Sequence, residues 1–355
     1  MFRFPLQGHQ TFHPEFVKMI PNLVSVILPV HNGADYIHEA ITSVLGQTYN
    51  NFELIIIDDC SKDETVTITQ SFQDARIRLI SSQERLRLCK ALNIGLKNVN
   101  GLFIARMDAD DVCHPRRLEY QVRFLQKHSS IGFCGSWVRQ FGEQQQSQRL
   151  CGPVGPMRVK AFAVYDNPMV HSSVMLRREV LQNVEPVYRD DFAHAEDFDL
   201  WTRLLKEIEG DNLSETLLDY RVHNQSVTVQ KSEAMDRTAC RILKRQLNFF
   251  GLNITQNEVM QHRRWATGRL DYDNISQDIE AAEKWLIRLL EANLKSLACD
   301  PNAFLWATRK IWFALCYKVQ VAGQPIMQRF LHSPISRGDW KAGLVLLGAI
   351  TKRRL

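Results

Sequence analysis

Between residues 24 and 136, apolar runs of strand length alternate with segments of helical periodicity. Two of these runs, 24–30 and 53–57, are apolar almost throughout, without the polar alternation of a strand that has one face in solvent. Such strands are typical of a parallel sheet that is covered by helices on both faces. The same alternation predicts helices over 34–47, 63–73, 86–98 and from Pro115, and strands at 77–81, 102–107 and 131–136.

The pattern changes twice farther along the chain. Residues 141–157 predict a loop, followed by strands at 171–176 and 217–222 and a helix over 196–206. Beyond about residue 230 only helical periodicity remains, at 232–249, 276–298, 302–320 and 338–351. We therefore predict an α/β fold, a mostly parallel, Rossmann-like sheet flanked by helices and followed by a C-terminal α-helical region. The predicted divisions are an N-terminal arm, an α/β domain and a helical region, at 1–22, 23–230 and 231–355.

Composition excludes several classes of protein. A formal net charge of +5 over 355 residues lacks the concentrated basic surface of a nucleic-acid-binding protein, so we expect no nucleic-acid partner. The N-terminus lacks the apolar run of a signal peptide, and no segment approaches the roughly 20 apolar residues that span a bilayer. The eight cysteines form no C-x-x-C pair, which predicts reduced thiols and a cytoplasmic protein.

Acidic residues follow two of the predicted strands. Asp108, Asp110 and Asp111 follow one strand, and the pair Asp58 and Asp59 follows another. The carboxyl ends of parallel strands meet at one edge of a sheet, so these side chains should share a crevice. Carboxylates this close repel one another unless a cation neutralises them, and oxygen ligands suit Mn²⁺ or Mg²⁺. The alternative for each cluster is a solvated turn that caps the next helix.

Two nucleotide-binding motifs do not occur after the first predicted strand. The chain has neither a G-x-G-x-x-G pattern nor a Walker motif there. A Rossmann dinucleotide site and a P-loop are therefore both disfavoured.

Seven short stretches, taken in order, resemble the family-2 glycosyltransferases, which have the GT-A fold. They are VSVILPVHNG at 24–33, IIDDCSKDET at 56–65, ALN at 91–93, ARMDADD at 105–111, HSSV at 171–174, ED at 196–197 and YRVH at 220–223. The resemblance covers residues 24–228. It implies an inverting, metal-dependent enzyme that moves a sugar from a nucleoside-diphosphate sugar, by default a UDP-sugar, to an acceptor hydroxyl.

The resemblance also implies roles for individual residues. Asp197 is the implied general base, Asp110 is the implied metal ligand, and His223 approaches the metal or the diphosphate. The acceptor side would carry His171 and Glu196. Taken alone, Glu196 and Asp197 would only favour the dipole of the helix that they begin. The residues implied for the nucleotide-sugar are Pro29, His31, Asn32, Asp58, Asp59, Asp108 and Ala109.

Two positions depart from the family pattern. Arg87 stands where the family often has glycine. Together with the other basic residues of 85–90, it either meets the diphosphate or an anionic acceptor, or lies on a solvated helix face. On the first interpretation Arg87 is a donor-binding candidate. Cys60 replaces a commoner glycine, which we expect to be harmless.

The resemblance extends to acceptors and products. The family's usual products are cell-surface polysaccharide, capsule or O-antigen, so the expected acceptor is a glycan or a lipid-linked glycan. The apolar segment 340–350, followed by a basic end, predicts a peripheral contact of the C-terminal helices with the inner face of the membrane. Tail aromatics such as Trp285 and Trp312 predict core packing, with a lid, an acceptor-binding element or a homo-oligomer interface as the alternative. Two other functions stay open at this point, a sugar-1-phosphate nucleotidyltransferase and an inactive nucleotide-sugar binding module.

Overall fold

The computed structural model describes residues 20–142, 147–223 and 232–337. The strands over these residues are β1 (Ile20–Val30), β2 (Phe52–Asp58), β3 (Ile77–Ser81), β4 (Gly101–Arg106), β5 (Val112–Cys113), β6 (Ile131–Phe141), β7 (Gln148–Leu150), β8 (Met175–Arg177) and β9 (Glu209–Arg221). They form one sheet in the order β3-β2-β1-β4-β8-β6-β9-β5, with β7 paired to β6. Strands β1 to β4 are parallel, and β8 lies antiparallel between β4 and β6. The predicted α/β fold is confirmed.

Most helices lie where the periodicity predicts them, and three were not predicted. They are α1 (Ile37–Leu45), α2 (Thr65–Ser71), α3 (Arg87–Lys97), α4 (Arg117–Lys127), α5 (Pro156–Phe162), α6 (Glu196–Leu204), α7 (Ser232–Asn248), α8 (Gln256–Ala266), α9 (Ile275–Ser296), α10 (Pro301–Val321) and α11 (Met327–His332). The three are α5, α8 and α11, of which α8 is the longest. Helix α8 begins with a capping box formed by Thr255 and Glu258, a sequence pattern that could have revealed it.

The register of the central strands brings their carboxyl ends to one edge. Val30 at the end of β1 pairs with Asp58 at the end of β2. On the other side of β1, Ile27 pairs with Arg106 at the end of β4. The loops that follow these three strands therefore share one edge of the sheet, as the sequence predicts.

The central strand β1 is apolar because it is buried on both faces. Ile27 belongs to one hydrophobic core, while Val26 and Leu28 belong to the core on the opposite face. The first core continues into the C-terminal helices, where Trp285 and Trp312 are buried in it. The core packing predicted for these two tryptophans is confirmed. The helices after residue 232 join this core by packing against α5 and α6.

Three local predictions differ from the structure. Residues 171–176 were expected to form one strand, but His171–Ser173 form a 3₁₀ turn and only β8 is extended. The turn forms because the amide and the hydroxyl of Ser173 both donate to Val170 O, at 2.9 and 2.8 Å. Strand β9 begins at Glu209 rather than at 217, because its first half pairs with β6. Strand β7 lies inside the predicted loop 141–157.

Some predictions concern residues that the structure does not describe. The boundary near residue 230 falls within 224–231, and the helix at 338–351, with the membrane contact predicted from it, lies beyond 337. Within the described ranges no helix is both long and apolar enough to cross a bilayer.

Candidate active site

Three carboxylates converge just after β4. Single oxygens of Asp108, Asp110 and Asp111 lie within 4.8 Å of one another. Asp111 is fully buried, and its Oδ1 accepts the backbone N–H of Arg221 at 2.9 Å. Its Oδ2 is buried as well and makes no hydrogen bond to the residues that the structure describes. His223, near the end of the 220–223 motif, brings Nε2 to 3.0 Å from Asp110 Oδ2.

The electrostatics of this cluster favour a bound cation. Burial, and then the charge of Asp108, raise the pKa of Asp110, and His223 opposes the shift. Burial, followed by the charges of Asp108 and Asp110, raises the pKa of Asp111 well above its usual range. Carboxylate oxygens with an imidazole nitrogen beside them form a donor set that suits Mn²⁺ or Mg²⁺. The unpaired, buried oxygen of Asp111 also fits a site that is completed by a cation.

Arg221 fastens the end of β9 to this cluster. Its Nε donates to the backbone oxygen of Asp110 at 2.8 Å, and its Nη2 lies 2.5 Å from Glu39 Oε2. The guanidinium group also stacks 4.8 Å above the ring of Tyr36. These contacts hold the residues around His223 against the acidic cluster.

The loops after β1 and β2 hold each other through several residues proposed for the nucleotide. His31 Nδ1 lies 2.7 Å from the backbone oxygen of Asp59. Asn32 Oδ1 accepts the amide of Lys62 at 2.8 Å, and Asp58 Oδ1 accepts the amide of Ser61 at 3.2 Å. The side chains of His31, Asn32 and Asp58 thus hold the two loops that line the crevice. Two further candidates flank it, since Pro29 is buried in β1 opposite Ile57 and Ala109 is half-buried between Asp108 and Asp110.

Asp59 anchors the start of α3. Its two oxygens accept the amides of Leu86 and Arg87, at 2.5 and 3.0 Å, and Arg85 Nη1 lies 3.2 Å away. Burial raises the pKa of Asp59, and these two amides oppose the shift. Most of this carboxylate is therefore engaged locally.

The two departures from the family pattern share a backbone property. Arg87 has φ of 66° and Cys60 has φ of 59°, both in the left-handed region that favours glycine. The turn geometry explains why glycine is usual at these positions. The side chain of Arg87 is exposed, whereas Arg85 is the cation that contacts Asp59.

A second acidic pair begins α6. Asp197 Oδ1 accepts the amide of Phe198 at 2.7 Å, and its Oδ2 accepts Asn167 Nδ2 at 2.6 Å. Burial raises the pKa of Asp197, although the bond from Asn167 opposes it. Burial, and then the charge of Asp197, raise the pKa of Glu196 to about 7. A carboxylate whose pKa is raised from its usual value towards neutrality suits a general base.

One buried arginine interacts with both acidic groups, the cluster after β4 and the pair that begins α6. Arg106, the last residue of β4, is 6% exposed and forms an ion pair with Asp108 through Nη1. Its charge also lowers the pKa of both Glu196 and Asp197 against the effect of burial. Arg106 was not predicted as a site residue, since an arginine that ends an apolar strand gives no local sign of its partners 90 residues later.

His171 lies beside these residues in a neutral form. Its Nε2 is 2.9 Å from the hydroxyl of Tyr188, and its ring meets Trp201 edge-on at 5.9 Å. Burial, and then the charge of Arg106, lower the pKa of His171 well below its usual value. Its assignment to the acceptor side stays a prediction.

Comparisons with known proteins identify the family of this chain. The model of the family described as "Glycosyl transferase family 2" matches residues 25–184. The O-antigen biosynthesis glycosyltransferase WbnJ of Escherichia coli is 34% identical over 219 residues, which are 60% of this chain and 84% of that protein. A second E. coli protein, the UDP-Glc:alpha-D-GlcNAc-diphosphoundecaprenol beta-1,3-glucosyltransferase WfgD, is 30% identical over 218 residues, 61% of this chain and 83% of that protein.

A solved structure has the same fold. Residues 1–349 of S. aureus TarS, crystallised with UDP-GlcNAc, superpose with a TM-score of 0.54 and 16% identity, covering 85% of this chain and 92% of that chain. The fold is therefore of the GT-A type. The chain belongs to glycosyltransferase family 2.

Proposed function

We propose that the chain is an inverting, metal-dependent glycosyltransferase that moves a sugar from a nucleoside-diphosphate sugar, most simply a UDP-sugar, to the hydroxyl of a glycan or lipid-linked glycan. The convergence of Asp108, Asp110 and Asp111 within 4.8 Å carries the proposal. The printed name of WfgD supports a UDP-sugar and a diphosphoundecaprenol-linked acceptor. The O-antigen role in the name of WbnJ supports a product in cell-surface polysaccharide, capsule or O-antigen.

The acidic cluster is the proposed metal site. Asp110, with His223 beside it, would hold Mn²⁺ or Mg²⁺, and Asp108 and Asp111 would complete the oxygen set. A divalent ion there would offset the charge that develops on the departing diphosphate. Arg221 keeps the His223 end of β9 close to the cluster.

Asp197 is the proposed general base. An acceptor hydroxyl is a weak nucleophile until a base within hydrogen-bond reach removes its proton. Asp197 is fixed by two donors, Asn167 Nδ2 and the amide of Phe198, so its remaining lone pairs have a defined direction. Because the pKa of Glu196 is about 7, Glu196 is partly protonated near neutral pH, which reduces repulsion on the proton-accepting carboxylate. Displacement in a single step inverts the anomeric carbon without an enzyme nucleophile.

The remaining assignments are also proposals. Pro29, His31, Asn32, Asp58, Asp59, Arg87 and Ala109 would contribute to the donor crevice, and His171 and Glu196 to the acceptor side. The divisions near residues 22 and 230, a cytoplasmic location with peripheral contact to the inner membrane face, and a homo-oligomer rest on the sequence alone. The nucleotidyltransferase alternative has no support from the comparisons, and the inactive module is disfavoured because both acidic groups are intact.

A thermal-shift panel tests donor and metal together. UDP, GDP and their sugars would be added with Mn²⁺, Mg²⁺ or EDTA, and a ligand at about 100 times its Kd should add about 2.7 kcal/mol of stability. Asp110→Ala should lose the metal-dependent shift. Asp74→Ala is the matched control, because its partner Arg76 precedes β3 at the opposite edge of the sheet. A shift that persists in EDTA and in Asp110→Ala would contradict the metal assignment.

The base is tested by turnover. Asp197→Asn should keep the nucleotide-dependent shift and lose sugar transfer, because it removes only the proton acceptor. NMR of the product would read the anomeric configuration, and retention would contradict a single displacement. Full activity of Asp197→Asn would overturn the assignment of the base.

A further inference from the structure

The C-terminal helices contact one short segment of the α/β part of the chain at three successive residues. This segment, 164–167, follows α5 and belongs to neither a helix nor a strand. His262 of α8 donates from Nε2 to the backbone oxygen of Val164 at 2.8 Å. The hydroxyl of Tyr165 lies 2.7 Å from Thr308 Oγ1 of α10. The third contact is an ion pair between Arg263 and Asp166.

This third contact continues into the acidic pair of α6. Arg263 Nη1 donates to Asp166 Oδ1, and the same oxygen accepts the amide of Asn167 at 2.8 Å. Asn167 Oδ1 accepts the amide of Met169 at 3.3 Å, which orients the side-chain amide. Its Nδ2 then donates to Asp197 Oδ2 at 2.6 Å.

Arg263 is itself held firmly. It is 8% exposed, and its Nε donates to Asp236 of α7 at 3.0 Å, so two carboxylates fix the guanidinium group. A guanidinium group that donates to one carboxylate on each of two elements imposes direction as well as charge. Segment 164–167 is therefore held by its own backbone bonds to α5 and, through side-chain contacts, by the C-terminal helices.

We propose that the helical region positions the general base: Arg263 fixes Asp166, Asp166 fixes Asn167, and Asn167 holds Asp197 Oδ2 in the direction needed for proton transfer. The inference rests on the proposed role of Asp197. Arg263, Asp166 and Asn167 act through Asp197 and are positioning residues. The helices after residue 232 would then be required for chemistry even where they touch neither donor nor acceptor.

The bond from Asn167 has an electrostatic consequence that can be measured. An amide N–H that donates to a carboxylate favours its ionised form. Among the described residues, Asp197 interacts electrostatically with Glu196 beside it, Arg106 of β4, Tyr188 and Cys89 of α3. Each of these belongs to the α/β part of the chain. A change at Arg263 should therefore reach the base through Asn167.

The test compares two neighbouring arginines of α8 in the full chain. Arg263→Gln breaks the contact with Asp166. Arg264→Gln breaks an ion pair with Asp278 of α9 that stays within the helical region. The probe is UDP release from UDP-GlcNAc and UDP-glucose in MnCl₂ with water as acceptor. Each variant is first checked for thermal stability and for UDP binding.

Arg263→Gln should lower kcat by about tenfold to a hundredfold, the usual effect of a small displacement of a catalytic group. The KM for the donor should change by less than about twofold, since no donor contact is lost. The acidic limb of the pH–rate profile should move to higher pH. Arg263→Lys, which keeps a cation at Asp166, should recover part of kcat, and Arg264→Gln should match the wild type.

Hydrogen exchange gives a second readout that does not depend on the rate at which the enzyme hydrolyses the donor. Hydrogen exchange of peptides covering 163–169 should accelerate in Arg263→Gln, because Asn167 loses its ordered acceptor, and should stay unchanged in Arg264→Gln. Equal exchange and equal kcat in the two variants would overturn the proposal. If Asp197→Asn is inactive while Arg263→Gln resembles the wild type, positioning by the helices fails and the proposed function stands. If Asp197→Asn keeps full activity, the assignment of the base itself fails.

Discussion

His262 provides a pH-dependent test of the contact between the helical region and segment 164–167. It is 1% exposed, its Nε2 donates to Val164 O at 2.8 Å, and its Nδ1 accepts Trp285 Nε1–H at 2.9 Å. A ring that donates at one nitrogen and accepts at the other is neutral. Protonation at Nδ1 would place the N–H of His262 opposite the N–H of Trp285, two donors with no acceptor between them. Burial lowers the pKa of His262 to about 4, with the bond to Val164 opposing the shift and the charge of Arg263 adding to it.

The sign and size of the effect follow from this pKa. In the unfolded chain the pKa of a histidine is about 6.5, so the unfolded state takes up a proton first as the pH falls. The contribution of His262 to stability is present above about pH 6.5 and is lost as the pH falls towards 4. The shift corresponds to about 3.4 kcal/mol in full, of which about 2.4 kcal/mol is lost between pH 7 and pH 4.5.

The assay is urea unfolding of the wild type and His262→Gln at pH 7, 5.5 and 4.5. Glutamine can donate to Val164 and accept from Trp285 but does not titrate, so the stability advantage of the wild type should shrink by about 2 kcal/mol at the lowest pH. Glu196 and Asp197, whose raised pKa values act with the opposite sign, occur in both proteins and cancel in the difference. A difference constant to within about 0.5 kcal/mol would refute the reasoning.

Two further predictions concern stability. Asp199 is fully buried and pairs with three arginines, so Asp199→Asn should lower the free energy of unfolding by about 3–5 kcal/mol. The control Asp191→Asn, whose pair with Arg241 is exposed, should cost less than about 1 kcal/mol, and equal losses in thermal melts would contradict this ranking. Cys60→Gly should stabilise by up to about 1 kcal/mol, because φ of 59° strains any residue with a Cβ. Cys60→Ala, which removes the thiol and keeps the Cβ, should bring no such gain.

Much of the fold could be predicted because its evidence is local. The apolar runs that became β1, β2 and β4 and the helical period of α1 and α3 are properties of neighbouring residues. The parallel sheet and the common edge for the acidic residues followed from them. The turn at His171–Ser173 escaped prediction, since its hydroxyl bonds to the backbone compete with a strand in a way that β-propensity does not reveal.

By itself, the sequence determined the order of strands and helices and the kinds of side chain at the strand ends. It could do so because hydrophobic periodicity and motif spacing depend only on residues that are near one another in the chain. Only the tertiary structure decided which of these groups meet. Arg106 faces Glu196 and Asp197, and Arg263 reaches Asp166 across 97 residues. Such contacts depend on how β4, α6 and α8 pack together, and long-range packing has no signature in local periodicity. The candidate chemistry is therefore visible in the sequence, whereas the support for its proposed base comes from the fold.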